Sequence, residues 1–319
     1  MDNPVPPDVA YTLYIVISGA IIICDIPFIL LIFINKHLRH QKELVIVGFM
    51  CVADTAHAVA FLISGAVRLW IALSNLGSQK ITNHDCLKYG FSLIFLYSYQ
   101  LMGAATLVVS FDRFIAVMFP VYYRVLTSRF SFGIMGCLFF YVTITSLVFL
   151  YFIYSNAPLP SSPNCFTSEA YTPGIWKYLL YFRMNTLILS SLLYLPITFR
   201  VYKMSKALKR ETTGGHYAKK IIRTTRTIGL TVAAEFIFVV IPDIFLTFNP
   251  FGLARYQVLW YICGVSKGAV NVLLVTLRHD EILRILREKI RGIKRTQPLS
   301  TAVTSTNIRS SKTPGCRPY

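Results

Sequence analysis

The sequence predicts an all-α integral membrane protein, a seven-transmembrane-helix bundle followed by a C-terminal amphipathic surface helix. Three observations predict it. Of the 319 residues, 55% are hydrophobic and only 14% charged, against about a quarter charged in soluble domains, so the medium that suits this chain is lipid. Seven apolar runs are each long enough to cross a hydrocarbon core about 30 Å thick, which takes about 20 helical residues. The basic residues gather between alternate runs rather than evenly along the chain.

Taken in order, residues 1–10 form a short extracellular N-terminus. The stretch MDNPVPPDVA has neither a basic region nor a small-residue cleavage site, so the first run is expected to act as an uncleaved signal anchor. The bundle occupies 11–278, with spans over 11–34, 44–73, 87–117, 131–154, 175–202, 225–248 and 256–277. Backbone amides in lipid must be satisfied within the segment, which makes runs of this length helices rather than barrel strands. In HDEILRILREKIRGIKR, residues 279–295, Ile282, Leu283, Ile285, Leu286 and Ile290 share one face opposite the bases, the pattern of a cytoplasmic helix lying on the membrane. Residues 296–319, rich in Ser, Thr and Pro, read as a disordered cytoplasmic tail open to phosphorylation.

Orientation follows from the bases. One side collects Lys36, Arg39, Lys42, Arg113, Arg124, Arg129, the run from Arg200 to Arg226 and the tail; the other keeps Arg68, Lys80, Lys88, Lys177 and Arg255. The asymmetry places the N-terminus outside and the C-terminus in the cytoplasm of a plasma-membrane, multi-pass protein. The formal net charge of +18 is then topology plus attraction to anionic membrane lipid, and no nucleic-acid partner is implied. Seven Cys without a CxxC pair suggest no zinc site and no dense disulfide framework. No catalytic triad, metal cluster or phosphate loop is visible, so neither an enzyme, a metal nor a cofactor is expected. No Asn-x-Ser/Thr acceptor lies in an outer segment. No internal repeat with paired broken helices is visible, which speaks against an inverted-repeat carrier.

The string FDRFIAVMFPVYYR, Phe111 to Arg124, closes the third run with Asp112-Arg113, then Pro120 eight and Tyr123 eleven residues after Asp112. With seven spans and an outside N-terminus, this string resembles the rhodopsin-like G-protein-coupled receptors. Asp54 in LVIVGFMCVADTAHA matches the acid of that family's second helix, and the first-helix Asn falls on Asp25. The sixth helix keeps Phe236 and Pro242 but has Val240 in place of the toggle Trp. The seventh reads Asn271-Val-Leu-Leu-Val275 and so loses Pro and Tyr; Tyr194 matches the inner tyrosine of the fifth, which lacks the bulge proline. Short length, eroded motifs and many Phe and Tyr make the chain most similar to the nematode serpentine chemosensory receptors of the srsx and srx type, for which a sensory cilium is a natural address.

The resemblance implies a switch at Asp112, Arg113, Pro120, Tyr123 and Tyr194, in which Asp112 neutralises Arg113 until the sixth helix swings out and exposes a G-protein docking cavity. Against it stands the ordinary use of an interfacial arginine reaching to the boundary beside a local counter-ion. A pivot is implied at Phe236, Val240 and Pro242. Asp25, Asp54, Lys267 and Asn271 form a core polar network, since ionisable groups at membrane depth need partners. Lys267 lies one turn before Asn271, so its ammonium can stand near Asp54 where the family holds sodium; equally, it can point elsewhere with Asp25 protonated. The family's retinal lysine would fall on Val265, about 200° from Lys267, which argues against an opsin. His57, Tyr97, Gln100, Arg183 and Asp243 are ligand-pocket candidates, or else interhelical contacts; Glu235 lies a turn deeper and receives no role. Cys86 and Cys165 both face an oxidising compartment and are expected to form a disulfide over the pocket. The partners implied are an extracellular small molecule or peptide and a heterotrimeric G protein. The rival readings are a seven-helix carrier or channel, and a receptor-like protein that no longer signals.

Overall fold

Apolar runs that cannot leave their amides unpaired in lipid close them into helices, and in the computed structural model seven helices among the described residues are long and apolar enough to cross a membrane. The structure describes residues 6–74, 76, 79–210, 222, 225 and 229–278. The surface helix expected over 279–295 and the tail 296–319 lie outside these. The helices are α1 (Pro7–Ile34), α2 (Lys42–Leu73), α3 (Phe91–Met118), α4 (Ser128–Ser155), α5 (Pro173–Arg210), α6 (Gly229–Phe248) and α7 (Gln257–Arg278). Proline opens α1 and α5, where its missing N–H would have had no intrahelical partner. Asn249 closes α6 in the left-handed region, φ 46°, with Pro250 next.

The third span starts later than the expected residue 87. Thr82 and Asp85 form a reciprocal capping box, so Asn83–Lys88 folds as its own short helix before Gly90 lets α3 begin. Asp85 also accepts a 2.7 Å bond from Lys88; that bond, with the Thr82 donors, holds the carboxyl well below the usual carboxylate range. Two-residue strands Ile81–Thr82 and Pro160–Ser161 pair antiparallel beside it. They are too short to leave a period-2 pattern, so nothing in the sequence announced them. Cys86, in that short helix, and Cys165, in the connection between α4 and α5, are joined by a disulfide that ties the two connections together.

Among the seven, α3 is the most buried and packs on α2, α4 and α5, while α1 packs on α2 and α7. Large apolar side chains such as Ile23, Ile34, Phe140, Leu147 and Tyr151 cover the outward faces of α1 and α4. On a soluble protein such faces would be a liability; against lipid tails they are the ordinary surface. At the disulfide end the core is aromatic: Phe61 and Phe95 meet edge to face at 4.9 Å, with Tyr14 and His57 against Phe61.

Candidate functional site

Three polar layers are stacked along α3, where Tyr99, Thr106 and Arg113 recur every seven residues. Seven residues on a straight helix drift by only about 20°, so the three share one face.

The layer farthest from the disulfide is built around Arg113, which is 1% exposed. Its Nε donates to Asp112 Oδ2 at 2.9 Å and its Nη2 to the Tyr123 hydroxyl at 2.7 Å, while Tyr123 Oη donates to Asp112 Oδ2 at 3.1 Å. Arg113 Nη2 also pairs with Asp112. Pro120 is the first residue of the short helix Pro120–Val125, which presents Tyr123 inward. Lys42 fastens that helix: its ammonium lies 3.5 Å from the Tyr123 ring centre and donates to the carbonyls of Tyr123 and Leu126. Burial pushes the Tyr123 phenol upward, which keeps it a neutral donor. A second acid, Glu43 at the start of α2, stands 3.9 Å from Arg113 Nη1. Tyr194 is buried nearby on α5, with no partner for its hydroxyl among the described residues.

The middle layer joins α2, α6 and α7. Lys267 Nζ donates to Asp54 Oδ1 at 2.8 Å and stands 2.9 Å from Glu235 Oε1, an ion-pair contact without hydrogen-bond alignment. Asn271, one turn along α7, donates to the other Asp54 oxygen at 3.0 Å. Asp25 on α1 stands at the edge, fully buried; it accepts from Thr55 at 3.1 Å, and its Oδ1 has no partner among the described residues. Lys267 therefore bridges two acids. Glu235, to which sequence reasoning assigned no role, is one of them.

The third layer walls a small cavity lined by His57, Tyr99, Arg183, Asp243, Trp260 and Tyr261 among others. Arg183 donates from Nε to Asp243 Oδ2 at 2.9 Å, and its Nη2 pairs with the second oxygen, a two-pronged bond between α5 and α6. The guanidinium carbon lies 4.1 Å from the Tyr99 ring centre. His57 Nδ1 shares a 3.0 Å hydrogen bond with Ser98.

Two of the five pocket candidates lie elsewhere. Gln100 bonds to Ser146 and Thr145, and the Tyr97 hydroxyl reaches Thr143 and the Phe139 carbonyl, so both face α4. Each α-helical residue turns by about 100°, and it is Tyr99 between them that meets the cavity. In α6 the pivot residues also divide: Val240 and Pro242 are buried, whereas Phe236 is 40% exposed on the outer face. The cause is a π turn over Phe236–Val240, which puts an extra residue into the helix. Tyr99, Trp260, Tyr261 and Glu43 were missed; aromatic residues in an aromatic-rich chain and an acid at a helix start carry no distinguishing signal.

Residues 18–262 match the family described as serpentine type 7TM GPCR chemoreceptor Srsx. No curated protein matches the chain.

Proposed function

The chain belongs to the Srsx family of serpentine seven-helix chemoreceptors, and from that premise we propose how it signals: an extracellular small molecule or peptide binding at the Arg183–Asp243 cavity drives nucleotide exchange on a heterotrimeric G protein docked at the Arg113 end. The protein sits multi-pass in the plasma membrane, sensory cilia included, with its N-terminus outside and its C-terminus in the cytoplasm.

The observation that carries this reading is the closed cluster at Arg113. A guanidinium at 1% exposure, bonded to Asp112 and Tyr123 and approached by Glu43, is charge-matched and hidden. An arginine serving only as a membrane boundary would reach into the headgroups instead. The resting state keeps the cation neutralised, and its release would offer a positive, hydrogen-bonding surface to a partner.

The layers supply the coupling. Asp243 and Glu235 belong to the same helix, eight residues apart, on either side of the π turn. A ligand that draws Asp243 or Arg183 out of their pair moves α6 at its cavity end. The π turn and Pro242 are where α6 yields most easily, since the regular bond ladder is interrupted at both. Glu235 then leaves Lys267, the inner half of α6 parts from α7, and the space around Arg113 opens. Ligand binding shifts a pre-existing balance between closed and open forms by its difference in affinity for the two. Purified receptor reconstituted with a heterotrimeric G protein tests the proposal. Asp112→Asn is expected to raise basal nucleotide exchange and Arg113→Ala to abolish stimulated exchange; stimulation that survives Arg113→Ala refutes it.

A further inference from the structure

Lys42 and Glu43 are the first two residues of α2. A lysine is ill placed there, because the positive end of the helix dipole repels cations. Its contacts explain its position. The ammonium lies over the Tyr123 ring and donates to the carbonyls of Tyr123 and Leu126, at the C-terminal end of the Pro120–Val125 helix. A cation is favoured at that end. The fastening pins the first turn of α2 against the Arg113 cluster. Glu43, its side chain only 11% exposed, faces Arg113 there and not the cytoplasm.

Asp112 does not use up the guanidinium. Its Oδ2 takes Nε and Nη2, and the Tyr123 hydroxyl also meets Nη2. Nη1 is buried with no hydrogen-bond acceptor among the described residues, and Glu43 Oε2 is buried with no donor. Nη1 and Glu43 Oε1 stand 3.9 Å apart, within ion-pair range and about 1 Å beyond hydrogen-bond length. Buried donors and acceptors left unmade are costly, and here each has its complement one small displacement away. The charges agree. Arg113 and Lys42 are matched by Asp112 and Glu43, so the cluster is neutral only with Glu43 counted.

We propose that Glu43 is a second latch on Arg113, a positioning residue on another helix that keeps hold of the cation when Asp112 lets go. The proposal rests on the reading of Arg113 as the switch, and it gives the release an order. Asp112 is the chain neighbour of Arg113 and travels with it on α3; Glu43 belongs to α2 and does not. When Asp112 is neutralised, the unused Nη1 turns to Glu43 and the cluster stays shut. The second step requires α3 and the first turn of α2 to part. A disturbance confined to Asp112 therefore opens the receptor only in part.

Two measurements on the purified full chain test it. In lipid nanodiscs without G protein, Tm is read for wild type, Glu43→Gln, Arg113→Gln and the double variant. With Arg113 present, Glu43→Gln removes a partner and is expected to lower Tm. In Arg113→Gln two acids are left to Lys42 alone, so the same substitution removes a stranded charge and is expected to raise Tm. An equal lowering in both backgrounds means that Glu43 acts on some other group, and overturns the assignment. In the reconstituted exchange assay without ligand, Glu43→Gln added to Asp112→Asn is expected to raise basal exchange a further fivefold or more, roughly. If Asp112→Asn raises exchange and the double variant adds nothing, the latch is overturned. If neither acid's removal, alone or combined, moves basal exchange while the Tm effect still reverses sign, the Arg113–Glu43 pair stands and the reading of Arg113 as the switch falls.

Discussion

Lys267→Met is the perturbation that asks most of the middle layer. The substitution keeps length and apolar bulk and deletes only the ammonium. It leaves Asp54 and Glu235, with side chains 3% and 1% exposed, without their shared cation. Removing one partner of a buried ion pair costs about 3–5 kcal/mol, because a charge stays behind uncompensated. At about 2–4 °C per kcal/mol for a large domain, the lower figure alone lowers Tm by roughly 6–12 °C. If the cost is the stranded charges and not lost packing, neutralising them restores stability. The triple variant Lys267→Met, Asp54→Asn, Glu235→Gln is therefore expected to melt within a few degrees of wild type, since replacing a buried ion pair with uncharged groups is often neutral. Thermal melting of the detergent-purified proteins, followed by a thiol-reactive dye at the buried Cys51, decides it. A single variant that melts like wild type would show that the ammonium carries no such load. A triple variant no more stable than the single would show that the cost lies in shape. In the exchange assay the same single variant frees α6 from α7. If the bridge favours the closed form by only about 1.4 kcal/mol, its loss raises basal exchange about tenfold.

Three further outcomes are expected. A methyl group on Gly103 would overlap the Thr186 hydroxyl and come within 3.2 Å of the Arg183 Cα, so Gly103→Ala should cost about 1–3 kcal/mol and weaken ligand response together with stability. Replacing Cys86 and Cys165 by Ser opens a loop closed over 79 residues and should cost about 2–5 kcal/mol of stability, read as a lower Tm, with dithiothreitol reproducing the effect in wild type only. Asp85 is held below its unfolded value, so its contribution is complete above the unfolded pKa of about 3.9 and is lost as pH falls through the lower folded value. Melting curves of wild type and Asp85→Asn should differ by a constant amount above about pH 5 and draw steadily closer as pH falls below about 4.

Length and apolarity made the bundle legible, because lipid leaves so few alternatives. A span of twenty uncharged residues has one way to satisfy its amides, and seven such spans with their bases on alternate sides describe a topology without any motif. Runs near the ends were mistaken by a few residues for local reasons, as at Gly90, where a capping box outweighs continuous apolarity. The site was legible where an unusual residue type stood at depth. Asp54, Lys267, Asn271, Arg183 and Asp243 are conspicuous because a charge or amide there needs an explanation. Direction around a helix was harder. Tyr97, Tyr99 and Gln100 are equally plausible in a string, and only the packing of α4 on one side of α3 sorts them.

Glu235 is the instructive miss, and its cause is phase. Asp243 faces the bundle interior, 2% exposed. On an unbroken α-helix at about 100° per residue, a residue eight positions earlier stands about 80° away, beside the core and not in it. That geometry gives Glu235 no partner. The π turn over Phe236–Val240 changes the count. One inserted residue leaves seven effective steps between Glu235 and Asp243, and seven steps return to within about 20° of the start. Both acids then lie on one inward stripe, Asp243 meeting Arg183 and Glu235 meeting Lys267, while Phe236 and Ile237 turn out toward lipid. The wider turn has a further consequence for motion. Its bonds are fewer per residue, so straightening it into regular α-helix is a discrete step, not a gradual bend. That step would rotate the inner half of α6 by about one residue, roughly 100°, and carry Glu235 off Lys267 while Asp243 stayed with Arg183. An α6 without the inserted residue, made by deleting Ile237, keeps seven steps between Glu235 and Asp243, so both acids stay on the inward stripe while the straightening step is no longer available. It should keep the Lys267 contact, hold basal nucleotide exchange at or below the wild-type level and lose ligand-stimulated exchange. If the deletion variant folds and still exchanges nucleotide on ligand as wild type does, straightening of the π turn is not the step that opens the closed state.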